Sequence, residues 1–126
     1  MNILKIITEI FSNLTLVTAI SAMVLAQAIK ILYYAITEKE LNWYHFYRVG
    51  GMPSSHSALV SSLSMMVGLS LGFDSIPFSI STILSIVVMY DVIKVRAEEI
   101  AHTMVEAFSG MIFGIIVALI SYNIWH

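Results

Sequence analysis

The sequence predicts an all-α fold, a polytopic membrane helical bundle, and three observations carry that expectation. Hydrophobic residues make up 59% of the 126, and the mean hydropathy is +0.90. Only 11% of residues are charged, where a soluble domain carries about 25%. The apolar residues also gather into four stretches, each close to the roughly 20 residues that carry a helix across a bilayer. A chain this short cannot hide so much apolar surface in one small core. One membrane-embedded domain over residues 1–126 accounts for the whole chain, with no internal repeat, linker or low-complexity segment.

The elements follow in order. Asn2 to Phe11 reads as a short amphipathic helix, with Ile3, Ile6, Ile7 and Ile10 on one face and Lys5 and Glu9 beside it. The first span runs from about Leu14 to Ile36. Met1 to Gln27 is loosely like a secretory signal, with an early Lys5 and small residues at Ala26 and Ala28. Glu9 interrupts that pattern and the apolar run continues to Ile36, so the segment reads as a retained span. The second span runs from about Ser55 to Phe73, the third from about Phe78 to Arg96, and the fourth from about His102 to Trp125.

The connections differ in character. Thr37 to Met52 is polar and carries Glu38, Lys39, Glu40 and Arg48, with Trp43, Tyr44, Phe46 and Tyr47 suited to a membrane interface. Gly72 to Pro77 is a tight turn with one charge, Asp74, and Ala97 to Ala101 is a short link carrying Glu98 and Glu99. Following the direction of each span brings Lys30, His56, Arg96, His102 and Glu106 to one membrane face. Lys5, Asp74 and His126 fall on the other.

Ionisable groups within spans are costly and tend to mark function. Lys30 and Arg96 also fit a plainer reading, in which they snorkel to the interface. Asp91 serves equally well as an ion-pair partner for Lys94 or Arg96. The serines and methionines of the second span, and the Gly110–Gly114 pair of the fourth, read first as small-residue helix packing. There is no cysteine, hence no disulfide framework and no thiolate metal site. The net charge of −2 gives no reason to expect nucleic-acid binding.

Against this background, Gly50-Gly51-Met52-Pro53-Ser54-Ser55-His56-Ser57 stands out. Glycines let the backbone approach an anion, serine hydroxyls donate to it, and histidine can move a proton. A helix starting at this point adds N–H groups and a favourable dipole. The second pattern is Arg96, five residues, His102, three residues, Glu106. His102 and Glu106, four apart, share a helix face, and a carboxylate there can orient an imidazole. Arg96 offers a planar fork of donors suited to phosphate.

Pro53-Ser54-Ser55-His56 resembles the Pro-Ser-Gly-His motif of the type 2 phosphatidic acid phosphatases and vanadium haloperoxidases. Arg96-x5-His102-x3-Glu106 resembles the third motif of the same superfamily. The longer string Gly50 to Ala58, with Gln27-x2-Lys30 before it and Tyr90-Asp91, Val95-Arg96 and His102-Thr103 after it, looks most like the divergent branch of that superfamily. The resemblance covers Gln27 to Gly114.

The resemblance implies an integral-membrane lipid phosphatase that works without a metal or other cofactor. Its substrate would be a lipid phosphate monoester or diphosphate, of the phosphatidate, phosphatidylglycerophosphate or polyprenyl diphosphate class. By position, His102 matches the nucleophile that forms a phosphohistidine, Glu106 the acid that orients it, and His56 the general acid. Ser54, Ser55, Arg96 and Lys30 match phosphate-holding positions. Arg48 stands in for the first-motif arginine, whose position Thr37 occupies. Asp91, Gly50 and Gly51 support the site. Ser55 replaces a glycine, Val95 a serine, and Glu106 an aspartate.

Fewer spans are expected than in the family's membrane enzymes, so a homodimer, or a pocket open to lipid, would supply the missing wall. Lys30, Lys39, Arg48, Lys94 and Arg96 on the site face place it toward the cytoplasm of a bacterial-type inner membrane by the positive-inside rule. The alternative function is a non-catalytic lipid-headgroup-binding or transport module with a degenerate site.

Overall fold

A computed structural model of the protein describes residues 2–37, 53–95 and 100–126. Its described elements are all helical: α1 (Ile3–Ser12), α2 (Leu14–Thr37), α3 (Ser55–Leu71), α4 (Ile76–Val95) and α5 (Ile100–Trp125).

The helix boundaries have local causes. The Asn2 side chain caps α1, its Oδ1 accepting from the Leu4 amide at 3.1 Å. Asn13 leaves the helical region at φ −76° and ψ 94° and separates α1 from α2. Its own Oδ1 then accepts from the Leu16 amide at 3.2 Å, opening α2. Ser54 caps α3 by accepting the Ser57 amide at 3.3 Å. Gly72 ends it at φ 100°, a conformation that favours glycine. Ser75 opens α4, its Oγ accepting from the Phe78 amide at 3.3 Å.

Among the described residues, three helices are long and apolar enough to cross a membrane: Leu14–Thr37, Ile76–Lys94 and Thr103–Trp125. The chain is therefore built as an integral membrane protein. The expectation of four equal spans needs one correction. Helix α3 has 17 residues and ends at Leu71 rather than Phe73. At 1.5 Å per residue it reaches about 26 Å, short of a hydrocarbon core of about 30 Å. Its start is set by the Ser54 cap and its end by the Gly72 turn, so the apolar Phe73 beyond the turn does not extend it.

The short helix is also the inner one. Helix α3 packs against α2, α4 and α5, while α2 and α4 make no extended contact with each other. An inner helix is surrounded by protein and need not match the bilayer thickness. Its buried residues are almost all small: Ser55, Ser57, Ala58, Ser61, Ser62, Ser64 and Gly68, with Val60 and Met66 the larger exceptions. Small residues let membrane helices approach closely, so that dispersion and hydrogen bonds replace the hydrophobic effect as the cohesive force.

Each interface uses that smallness differently. Ala22 and Ala26 of α2 meet Ala58 of α3, with Phe113 and Val117 of α5 packed against the three. On α5, a Cβ added at Gly110 would collide with the Ser54 carbonyl oxygen. One added at Gly114 would collide with the Ala58 carbonyl and the Ser61 hydroxyl. The Gly110–Gly114 pair is the flat face on which the motif helix lies. Between α3 and α4 the contact is polar. Ser85 Oγ lies 2.6 Å from Ser64 Oγ and 2.8 Å from the carbonyls of Val60 and Ser81. It accepts from Ser64 and has one proton to give to either carbonyl.

Candidate active site

The site is assembled where α2 ends and α3 and α5 begin. The anchor is a tertiary hydrogen bond: the Ser54 amide donates to the Glu106 carbonyl at 3.1 Å. It fixes the start of α3 against the second turn of α5. Gly110, one turn further along α5, leaves room for the Ser54 backbone and the Ser57 Cβ. Sequence and structure thus converge on one contact, which holds the Pro53-Ser54-Ser55-His56 segment beside the His102–Glu106 turn.

The hydrogen bonding at the start of α3 leaves defined groups for a ligand. Ser54 Oγ accepts the Ser57 amide, and the Ser54 carbonyl accepts the Ala58 amide at 3.0 Å. Among the described residues, the Ser55 and His56 amides ahead of them have no acceptor. The Ser54 hydroxyl accepts as a cap and keeps its own proton to donate elsewhere. Ser54 and Ser55 are buried, and His56 is exposed on the first turn. That combination offers two N–H groups and buried serine hydroxyls beside an exposed imidazole. Ser57 is fully buried, and its hydroxyl has no hydrogen-bond partner among the described residues. It belongs to the motif string, yet no role for it was expected.

Lys30 is 2% exposed and Glu106 is 3% exposed. A lysine or glutamate at that depth in a membrane bundle requires partners, because an uncompensated charge costs several kcal/mol. Lys30 Nζ donates to Gln27 Oε1 at 3.3 Å, one turn earlier on α2. The plainer reading of Lys30 as a snorkelling side chain is thereby excluded, since a snorkelling ammonium reaches solvent. The sequence offered a signal for Gln27, through the Gln27-x2-Lys30 spacing. Thr103 is fully buried beside Glu106 in the α5 register, and its neighbourhood was not foreseen.

The remaining expected residues fall into two groups. Arg48, Gly50, Gly51 and Arg96 lie outside the described residues, and His102 is described by its backbone, in the first turn of α5. Asp91 is exposed on α4 and forms no ion pair among the described residues. Lys94, one of its two expected partners, places its Nζ 5.9 Å from the centre of the Tyr90 ring instead, and the other, Arg96, lies outside the described residues. Tyr90 stands four positions before Lys94 on the same helix face, where its ring offers a cation contact.

Thr37 occupies the first-motif arginine position. It ends α2, and its hydroxyl donates to its own helix, to the Tyr33 carbonyl at 2.7 Å. It contributes no positive charge there. Among the described residues, no group of His, Asp and Glu is placed to hold a metal ion.

A family described as the "Divergent PAP2 family" matches residues 11–101. The match includes Lys30 and the whole Gly50-to-Ser57 segment and stops one residue before His102. An uncharacterized membrane protein of Bacillus subtilis (strain 168), YuiD, is 40% identical over 88 residues, covering 70% of this chain and 56% of that protein. The chain thus spans little more than half the length of the relative it matches. No solved structure matches.

Proposed function

The chain belongs to the divergent PAP2 family, and from that premise we propose that it is an integral-membrane lipid phosphatase. Its substrate is a phosphate monoester or diphosphate of a lipid, with the chain in the bilayer and the headgroup at the start of α3. The observation that carries this reading is the Ser54–Glu106 hydrogen bond, which puts the anion-binding helix start beside the histidine–glutamate turn.

The chemistry follows from the residues. The Ser55 and His56 amides, the Ser54 and Ser55 hydroxyls and the buried Lys30 hold the phosphoryl oxygens, with Arg96 and Arg48 contributing from the flanking segments. An imidazole nitrogen of His102 attacks phosphorus, and the bond from phosphorus to the lipid oxygen breaks. His56 gives its proton to that oxygen. Water then attacks the phosphohistidine, His56 takes the water's proton, the phosphorus–nitrogen bond breaks, and phosphate leaves. Glu106, one turn beyond His102, orients the nucleophile. Positioning and electrostatic stabilisation supply the rate, with neutralising side chains in the role a metal plays elsewhere.

Positive residues on the site face support a cytoplasmic orientation in a bacterial-type inner membrane. With so much of α2, α4 and α5 exposed, lipid or a second copy of the chain completes the wall of the site. The test is phosphate release from detergent-solubilised protein given phosphatidate, with His102→Ala and His56→Ala as controls. Activity in the wild type that both variants lack supports the reading, and wild-type turnover in either variant overturns the mechanism.

A second reading rests on Thr37. With its hydroxyl spent on Tyr33, the first-motif position provides no cation. A site short of one phosphate-neutralising charge can bind a headgroup without turning it over. Binding of a lipid phosphate, or flux through liposomes, without phosphate release would favour that reading.

A further inference from the structure

Every residue of α1 is exposed, and the helix contributes nothing to the core of the bundle. Its two faces are fully segregated. At about 100° per residue, Ile3, Leu4, Ile6, Ile7, Ile10 and Phe11 fall within an arc of about 160°, and Lys5, Thr8, Glu9 and Ser12 occupy the rest. The bundle leaves that apolar arc uncovered: Ile3, Leu4 and Phe11 are 67%, 75% and 76% exposed.

The polar face satisfies itself. Lys5 Nζ lies 4.0 Å from Glu9 Oε1. The Thr8 hydroxyl donates to the Leu4 carbonyl at 2.8 Å, and that of Ser12 to the Glu9 carbonyl at 3.1 Å. The face is neutral, without the excess of basic side chains that draws an interfacial helix to anionic lipid.

The connection to α2 says what covers the apolar arc. Asn13 alone separates the two helices. Its amide donates to the Ile10 carbonyl at 3.2 Å, and its Oδ1 accepts from the Leu16 amide at 3.2 Å. With its backbone in the extended region, α1 and α2 are separate rods tightly joined. Helix α2 is long and apolar enough to cross the bilayer from Leu14, so the arc is held at the boundary where that crossing begins. The span exposes Leu16, Val17 and Ile20 within its first two turns, and bilayer lipid therefore already reaches this end. At about 15 Å long, α1 is too short to cross by itself.

We propose that α1 is an interfacial helix. It lies in the plane of the leaflet at the Leu14 end of α2, with its apolar arc among the acyl chains and the Lys5–Glu9 pair in water. Its partner is the lipid surface, recognised by apolar area and not by charge. Lys30 lies toward the other end of the same span, so α1 anchors the leaflet opposite the candidate site. The proposal needs only that α2 crosses the membrane, and it is independent of phosphatase activity.

The chain has no cysteine, so spin labels can be placed one at a time. Ile3→Cys, Ile7→Cys, Ile10→Cys, Lys5→Cys, Thr8→Cys and Glu9→Cys are labelled in the whole chain and reconstituted into phosphatidylcholine vesicles. Collision with oxygen, which concentrates in the bilayer, is compared with collision with a water-soluble nickel chelate. Labels at positions 3, 7 and 10 collide mainly with oxygen and report similar depths, while those at 5, 8 and 9 collide mainly with the chelate. A depth difference of about 10 Å between positions 3 and 10, which a helix running along the bilayer normal would give, overturns the proposal. So does access of the chelate to positions 3, 7 and 10. Spin–spin broadening at position 7 that vanishes on dilution with unlabelled protein would assign the face to a second copy and overturn it as well. Replacing part of the lipid by phosphatidylglycerol leaves the depth at position 7 unchanged, and a deeper label there would overturn recognition without charge. Leu4→Cys and Phe11→Cys repeat the measurement where another variant inserts poorly.

Discussion

The Ser54 amide donates to the Glu106 carbonyl at 3.1 Å. The bond joins residues 52 positions apart in the sequence and is the point at which the two sequence motifs meet. It also shows why the residue one turn beyond Glu106 is glycine. Any side chain at Gly110 would meet the backbone of Ser54, and the motif helix would have to lift away from α5.

Gly110→Val tests that dependence. The added methyl groups collide with backbone rather than with a flexible side chain, so relief requires a helix shift. Overpacking of this kind costs about 1–3 kcal/mol, and thermal unfolding in detergent reads the loss. Phosphate release and vanadate binding fall together, although Gly110 carries no chemical group. Retention of both with an unchanged melting temperature would mean that the helices do not meet as described.

Lys30→Met probes the buried cation. Methionine fills a similar volume without the charge, so the packing of this buried position is largely retained. Vanadate affinity drops by about tenfold or more, the equivalent of at least one 1.4 kcal/mol step. Lys30→Arg recovers part of it, because it restores the charge with a bulkier head. Titration of vanadate inhibition, or of vanadate binding where turnover is absent, makes the comparison.

Thr37→Arg is the gain-of-function counterpart. Thr37 is exposed and bonds only to its own helix, so the substitution meets little steric opposition. A guanidinium at the end of α2 would restore the first-motif charge and tighten vanadate binding relative to the wild type. No change would mean that Arg48 or another cation already fills the role.

Ser85→Ala separates the polar seam from the site. It removes the acceptor for Ser64 and the donor to the Val60 or Ser81 carbonyl. Interhelical hydrogen bonds of this type in membranes are worth about 0.6 kcal/mol on average and at most about 1.7. Chemical or thermal unfolding should show a loss in that range with kcat unaltered, since Ser85 lies on the α3–α4 interface and away from Ser54.

Much of this architecture was legible in the sequence because a bilayer reduces the problem to apolar runs and their breaks. Leu14–Thr37 fell within one residue of its expected end, and α1, α4 and α5 began and ended within about two. The meeting of the start of α3 with the Glu106 turn of α5 followed from counting crossings. The length of α3 was less legible, because hydropathy continues through Phe73 while the helix stops at a glycine with positive φ. The Ser64–Ser85 contact was hidden for another reason. Serines four apart in an apolar helix, such as Ser81 and Ser85, announce a packed face but not the partner. The burial of Lys30 to 2% was likewise invisible, since an ammonium near a helix end snorkels as easily as it buries.

The central claim is that His102 forms a covalent bond to phosphorus while His56 protonates the leaving lipid. Steady-state phosphate release from phosphatidate by solubilised wild type, His102→Ala and His56→Ala measures it most directly. Under this account the wild type turns over. His56→Ala loses about 10²–10⁴-fold, the usual contribution of a positioned acid, and His102→Ala falls to background. Turnover at the wild-type rate in His102→Ala, or a wild type that binds vanadate yet releases no phosphate, would contradict it.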